Sequence, residues 1–235
     1  MRSAVHYLPI LTSALAFWFA PQLLQRWRER RPAPHLFWWG LGVVLYGVGT
    51  VTESLTTLLG WREPVFRAWY ISGALLGGAP LAQGTAYLLL RRRTANLLTI
   101  VLLAVVGVAA VCVLLSPIVL ERVEPHRLSG QVLAWSWVRR FSPFINSYAF
   151  VMLVGGALLS AWRFRTVPGG RGKVLGNACI AVGGLLPGIG GTFTRFGHVE
   201  VLYVTELAGL LLIYLGYRFN VAVAPAVLAS VPERG

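Results

Sequence analysis

The sequence predicts an all-α, polytopic membrane protein of seven transmembrane helices, and three observations lead there. Hydrophobic residues make up 56% of the 235 positions. They fall in blocks of roughly 20, the length that crosses a ~30 Å hydrocarbon core. Charged residues make up only 12%, about half the share of a typical soluble domain, and the mean hydropathy is +0.67. The formal charge of +13 does not point to nucleic acid, because the basic residues sit between the apolar blocks, where membrane topology places them.

The helices are expected at 5–24, 36–59, 66–90, 97–115, 143–162, 175–194 and 199–217. The first block lacks a strong basic leader and a small-residue cleavage site, so it reads as a retained helix. Charge sets the expected topology. Arg26, Arg28, Arg30 and Arg31 follow helix one, Arg91, Arg92 and Arg93 follow helix three, and Arg163, Arg165, Arg171 and Lys173 follow helix five. Those loops face the cytoplasm under the positive-inside rule, which puts the N-terminus outside and the C-terminus inside. The frame is a single membrane domain over 1–220, with a short cytoplasmic tail over 221–235. The outer connection 117–142 carries Trp135, Trp137, Arg139 and Arg140. Its second part reads either as a helix lying on the membrane surface or as a loop with two interfacial tryptophans.

Helices one to three and five to seven run the same way, which fits a 3+1+3 repeat with helix four as linker. Arg26-Trp27-Arg28, Pro32 and Tyr46-Gly47-Val48-Gly49-Thr50 have counterparts in Trp162-Arg163, Pro168 and Pro187-Gly188-Ile189-Gly190-Gly191. Basic inner loops and membrane glycines alone produce the same pattern. Within this frame, Ala20-Pro21-Gln22-Leu23-Leu24 resembles the PQ-loop of SWEET-type sugar transporters, a likeness confined to Pro21-Gln22. That resemblance implies seven helices, an outside N-terminus and a 3+1+3 plan. More broadly, Leu88-Leu89-Leu90-Arg91 and Gly190-Gly191-Thr192-Phe193-Thr194-Arg195-Phe196-Gly197 resemble bacterial seven-helix membrane proteins to which no activity attaches. The plan is also similar to membrane-sensor regions of bacterial histidine kinases.

The acids inside helices carry the chemistry. Glu53 stands seven residues before Gly60, and Glu206 seven after Val199. At 1.5 Å per residue both lie roughly 10 Å below the same surface, with Arg195 near that level. A charge in hydrocarbon costs at least about 2.5–3.5 kcal/mol, so such groups face the bundle interior and pair. The expectation is one cluster of Glu53, Glu206 and Arg195 lining an outward-opening polar cavity, with Thr50, Thr57, Tyr203 and Asn146 around it. The alternative is a structural ion pair or a protonated acid bonded to its neighbours. Pro80, Pro187, Gly188 and Gly190 are expected to loosen backbone, freeing carbonyls for a cavity or forming hinges. Bending and close helix packing explain the same residues.

His6, His35, His126 and His198 lack ligand spacing, and Cys112 and Cys179 both fall in apolar segments. No metal or other cofactor is expected, and no nucleophile set suggests an enzyme. Retinal would require a lysine inside the last helix, whereas Lys173 lies in a loop. The leading functional reading is binding, and beyond that translocation, of a small molecule or proton in a bacterial inner membrane. The second is a sensor or accessory subunit acting through a protein partner or a second copy.

Overall fold

The computed structural model describes residues 4–229, without the side chains of residue 195 and residues 222–229. It is helical, with no strand among the described residues. Nine α-helices follow in order: α1 (Leu8–Glu29), α2 (Pro34–Leu59), α3 (Glu63–Trp69), α4 (Ala79–Leu89), α5 (Arg92–Leu115), α6 (Phe141–Ala149), α7 (Gly156–Phe164), α8 (Arg171–Phe193) and α9 (Val199–Ala229). Six helical runs are long and apolar enough to cross a membrane: Ala4–Glu29, Pro34–Leu59, Arg92–Leu115, Ser136–Phe164, Arg171–Phe193 and Val199–Val221. The chain is therefore a multi-pass membrane protein.

The run expected at 66–90 is the exception, because it is broken. A wider π turn, Tyr70–Leu75, follows α3, and the helix stops before α4 begins at Ala79. Pro80 sits in the first turn of α4, where its missing N–H costs nothing. It marks a helix start, not the mid-helix kink expected of it. A second π turn, Phe150–Gly155, joins α6 to α7 without a break. The final helix also runs on through Ala229, past the expected boundary at 217. Helices three and seven, counterparts in a 3+1+3 plan, differ here: one is broken and the other continuous.

Close helix approach holds the bundle together. α8 and α9 pack antiparallel along a seam of glycines spaced by seven. Gly176 meets Gly216, Gly183 meets Gly209, and Gly190 meets Leu202 and Thr205. A Cβ at Gly183 would stand 2.6 Å from the Gly209 carbonyl oxygen, so nothing larger than glycine fits without separating the helices. α1 meets α2 through Gly47 against Ala16, with a Ser13–Thr50 hydroxyl bond of 2.9 Å. α2 meets the broken pass through Gly49 against Gly73 and Gly42 against Leu81. Leu97, Ile100, Leu103, Val108, Val111 and Leu115 of α5 are exposed. An apolar outward face of this kind is what a helix presents to lipid.

Residues 116–140 form a folded cap at one end of the bundle, hereafter the cap end. The stretch read as a surface helix or a loop is built of short 3-10 turns, Gly130–Val132 and Ser136–Arg140, with Val132, Leu133 and Val138 buried. These three side chains turn inward, while Trp135 and Trp137 stack on each other and stay exposed, as in a loop with two outward tryptophans. Backbone bonds tie the cap to itself, Val119 N–H to Val132 O and Ala134 N–H to Pro117 O. Trp61 N–H donates to Pro125 O and joins the cap to the end of α2. Arg67 of α3 donates to the carbonyls of Val113 and Ser116, and Glu63 holds its guanidinium at 2.6 Å.

Candidate functional site

The site is built first on α2. Pro34 opens this helix, and Gly60, at φ +82°, closes it. Between them the hydroxyls of Thr50, Thr52, Ser54 and Thr56 bond carbonyls three or four residues back. Local bonding of this kind lets a polar-rich helix be buried. Glu53, on the same helix, is only 4% exposed and has no such outlet. Its Oε1 accepts a 2.9 Å bond from the indole N–H of Trp69 in α3. Its Oε2 is buried and receives no donor.

Glu206 comes from α9, where Tyr46 fixes the register: the Tyr46 hydroxyl donates to the backbone carbonyl of Glu206 at 3.0 Å. The half-buried Glu206 side chain stands beside that of Glu53, close enough for the two carboxyls to interact. Its Oε2 is likewise buried without a donor. Among the described residues neither carboxylate is ion-paired. A direct bond between two carboxyl groups requires a proton on one of them. Of the expected cluster of Glu53, Glu206 and Arg195, the described residues place the two acids side by side. The side chain of Arg195 lies outside the described residues, and its backbone sits in the 3-10 turn Thr194–Phe196.

Both acids line a cavity of about 950 Å³ that runs from the cap end, at Arg127, Gly130 and Arg139, down to Leu81, Leu153 and Ile213. The π turns of both irregular passes contribute wall, through Tyr70 and Gly73 on one side and Phe150 and Leu153 on the other. Rings of Tyr46, Trp69, Tyr70 and Tyr203 complete an aromatic lining. Arg127 at the rim is engaged by Glu124 at 2.9 Å and by the Thr194 carbonyl at 2.6 Å. Arg139 stands beside Tyr70 and bonds the Ser136 carbonyl at 3.4 Å.

Of the remaining candidates, Thr50, Tyr203, Asn146, Pro187 and Gly188 line this cavity, whereas Thr57, Pro80 and Gly190 do not. Thr50 spends its hydroxyl on Ser13 and on Gly47 O. Tyr203 is 3% exposed and packs edge-on against His6. Asn146, with Ser142, donates to Ala74 O, the carbonyl left free near the break in the third pass. Thr57 faces a second, smaller cavity of about 400 Å³ beneath the cap. Gly190 serves the α8–α9 seam, since a Cβ there would overlap Thr205. Pro187 lies within α8 and leaves the Gly183 carbonyl without its helical donor. That carbonyl faces Gly209 of α9, not the cavity expected to receive it.

The Trp69 donor to Glu53 and the rim guanidinium of Arg139 enter the site only with the fold. Trp69 stands sixteen residues from Glu53, a separation with no helical or strand periodicity. The polarity of Trp69, Tyr70 and Ser72 near one end of their pass was the signal available. Among the described residues no group of three or more His, Cys, Asp or Glu side chains is placed to hold a metal ion. Comparison with protein-family models, curated proteins and solved structures finds no match to this chain.

Proposed function

We propose that this chain is a bacterial inner-membrane protein that binds a small solute or a proton at Glu53 and Glu206. The cap end faces outward in this reading, with the N-terminus outside, as the basic clusters after helices one, three and five imply. Seven passes follow if the broken third pass crosses as a unit. The observation that carries the reading is the meeting of two acids from different helices at one cavity wall, each with a buried oxygen that no protein donor satisfies. Natural proteins satisfy nearly all buried polar atoms, so orphaned oxygens on two residues that line a cavity mark a place for a proton or for a ligand that the site opens to admit.

Translocation adds one requirement, that the floor of the cavity can open. The helix break before Ala79 and the π turns Tyr70–Leu75 and Phe150–Gly155 are the backbone elements suited to that movement, because each departs from the regular α ladder. The experiment is thermal melting of the purified protein and of Glu206→Gln over a panel of solutes and pH values. A solute that stabilises only the wild type supports the reading, and flux into proteoliposomes then separates transport from binding alone. No response to any solute or to pH, with Glu206→Gln merely less stable, overturns it.

A further inference from the structure

We infer that the cavity takes an organic monocation, a substituted ammonium with an apolar body, which displaces the proton held between Glu53 and Glu206. The inference rests on reading the cavity as a binding site and names the chemistry of its ligand. Three features select that chemistry. First, the deep polar groups are carboxyls, which only accept hydrogen bonds when ionised. Glu53, 4% exposed, is among the residues that line the cavity, and one of its carboxyl oxygens has no protein donor. Second, the surrounding wall is aromatic, with Tyr46, Trp69, Tyr70 and Tyr203 beside the acids. Ring faces attract cations, most strongly where water is excluded. Third, the described basic side chains of the cavity stand only at the rim. Arg127 is already held by Glu124, while Arg139 lies next to Tyr70. A second ammonium on the ligand would meet these guanidiniums, so the class is singly charged.

The exchange balances in charge and atoms. The bound state without ligand is a carboxyl–carboxylate pair holding one proton between Glu53 and Glu206. The entering ammonium takes that place, both carboxyls become carboxylates, and the proton leaves to water. No covalent bond of the ligand forms or breaks. Among the described residues, the other titratable or charged groups around the pair are Tyr46 on α2, Tyr203 on α9, and Arg127 and Arg139 at the rim; the His6–Glu200 pair, at 3.6 Å, lies behind Tyr203. The tyrosines are neutral phenols that can stay bonded through the exchange.

The test uses the purified full chain and quaternary ammonium probes, which have no proton of their own to lose. Choline, tetraethylammonium and benzyltrimethylammonium are titrated calorimetrically in buffers of differing ionisation enthalpy, which counts released protons. The controls are 3,3-dimethylbutan-1-ol, the neutral carbon isostere of choline, together with benzoate and the dication putrescine. The expected result is saturable binding of the monocations with release of about one proton each. The neutral isostere should bind at least about tenfold more weakly, and without proton release. Glu206→Gln should remove the proton release. If that variant fails to fold, the proton count on the wild type still decides. Equal binding of the neutral isostere or benzoate, or cation binding with no proton released, overturns the monocation while leaving the cavity as a binding site. Silence of every probe overturns the monocation, and the binding reading is then decided by melting against pH and the wider solute panel.

Discussion

Replacing Gly183 by alanine should destabilise the bundle, although alanine is the better helix former. The added Cβ would stand 2.6 Å from the Gly209 carbonyl oxygen, 2.9 Å from Cγ1 of Ile213 and 3.0 Å from its backbone nitrogen. A carbon–oxygen contact relaxes only near about 3.3 Å, so α8 and α9 must part by about 0.7 Å. Two of the three obstructing atoms are backbone and cannot rotate away. Overpacking of this kind costs about 1–3 kcal/mol, against which the gain in helix propensity returns about 1 kcal/mol. The net expectation is a loss of up to about 2 kcal/mol. Gly191, eight residues along the same helix, has no atom within 4 Å of its Cβ position. Gly191→Ala should therefore be neutral or stabilising by up to about 1 kcal/mol, which leaves a gap of about 2 kcal/mol between the two variants. Unfolding in mixed micelles, followed by helicity, reads that gap. Equal stability of Gly183→Ala and Gly191→Ala would refute the glycine seam as the device that joins α8 to α9.

Other perturbations address the site and the cap. A double-mutant cycle of Trp69→Phe with Glu53→Leu should give a coupling of about 1.5–3 kcal/mol, the range for a hydrogen bond to a charged group; additivity within about 0.3 kcal/mol would mean that the indole does not hold the carboxyl. Arg67→Ala removes the donors to Val113 and Ser116 and should expose the cap to limited proteolysis within residues 117–135, with the helices still folded. Gln83 is fully buried, and it accepts from Tyr148 at 2.5 Å while donating to Ala95 O and to Thr99. Gln83→Leu should cost about 1–3 kcal/mol through the groups left unbonded, read as a lower melting temperature.

Much of the architecture is legible in the chain because a membrane imposes one length scale. Apolar blocks near twenty residues place most passes within a few residues of their true ends, and the equal depth of Glu53 and Glu206 follows from counting inward from Gly60 and Val199. Local irregularity is harder to read. A π turn adds one residue to a helical turn without changing the apolar composition, so Tyr70–Leu75 and Phe150–Gly155 leave no periodic mark. Pro80 lies at the break, but a proline reads alike as a mid-helix kink or as the first turn of a new helix. The cap hid its nature because Val132, Leu133 and Val138 resemble a membrane-facing stripe when their burial partners on α3 and α5 are unknown. Asn146 and Thr57 show the same gap within the site. Asn146 lines the main cavity and Thr57 the smaller one, because direction depends on which neighbour has a free carbonyl or a space beside it.

The account turns on a proton held between Glu53 and Glu206 at a wall the ligand can reach. Infrared spectroscopy of the purified protein, with Glu53→Gln and Glu206→Gln compared against the wild type, tests this directly through the carbonyl stretch of a protonated carboxyl. The prediction is a protonated-carboxyl band that shifts on transfer to deuterated water and disappears or shifts in either variant. A spectrum showing both carboxylates ionised, unchanged by removal of the partner acid, would contradict the account and make the two glutamates separate structural groups.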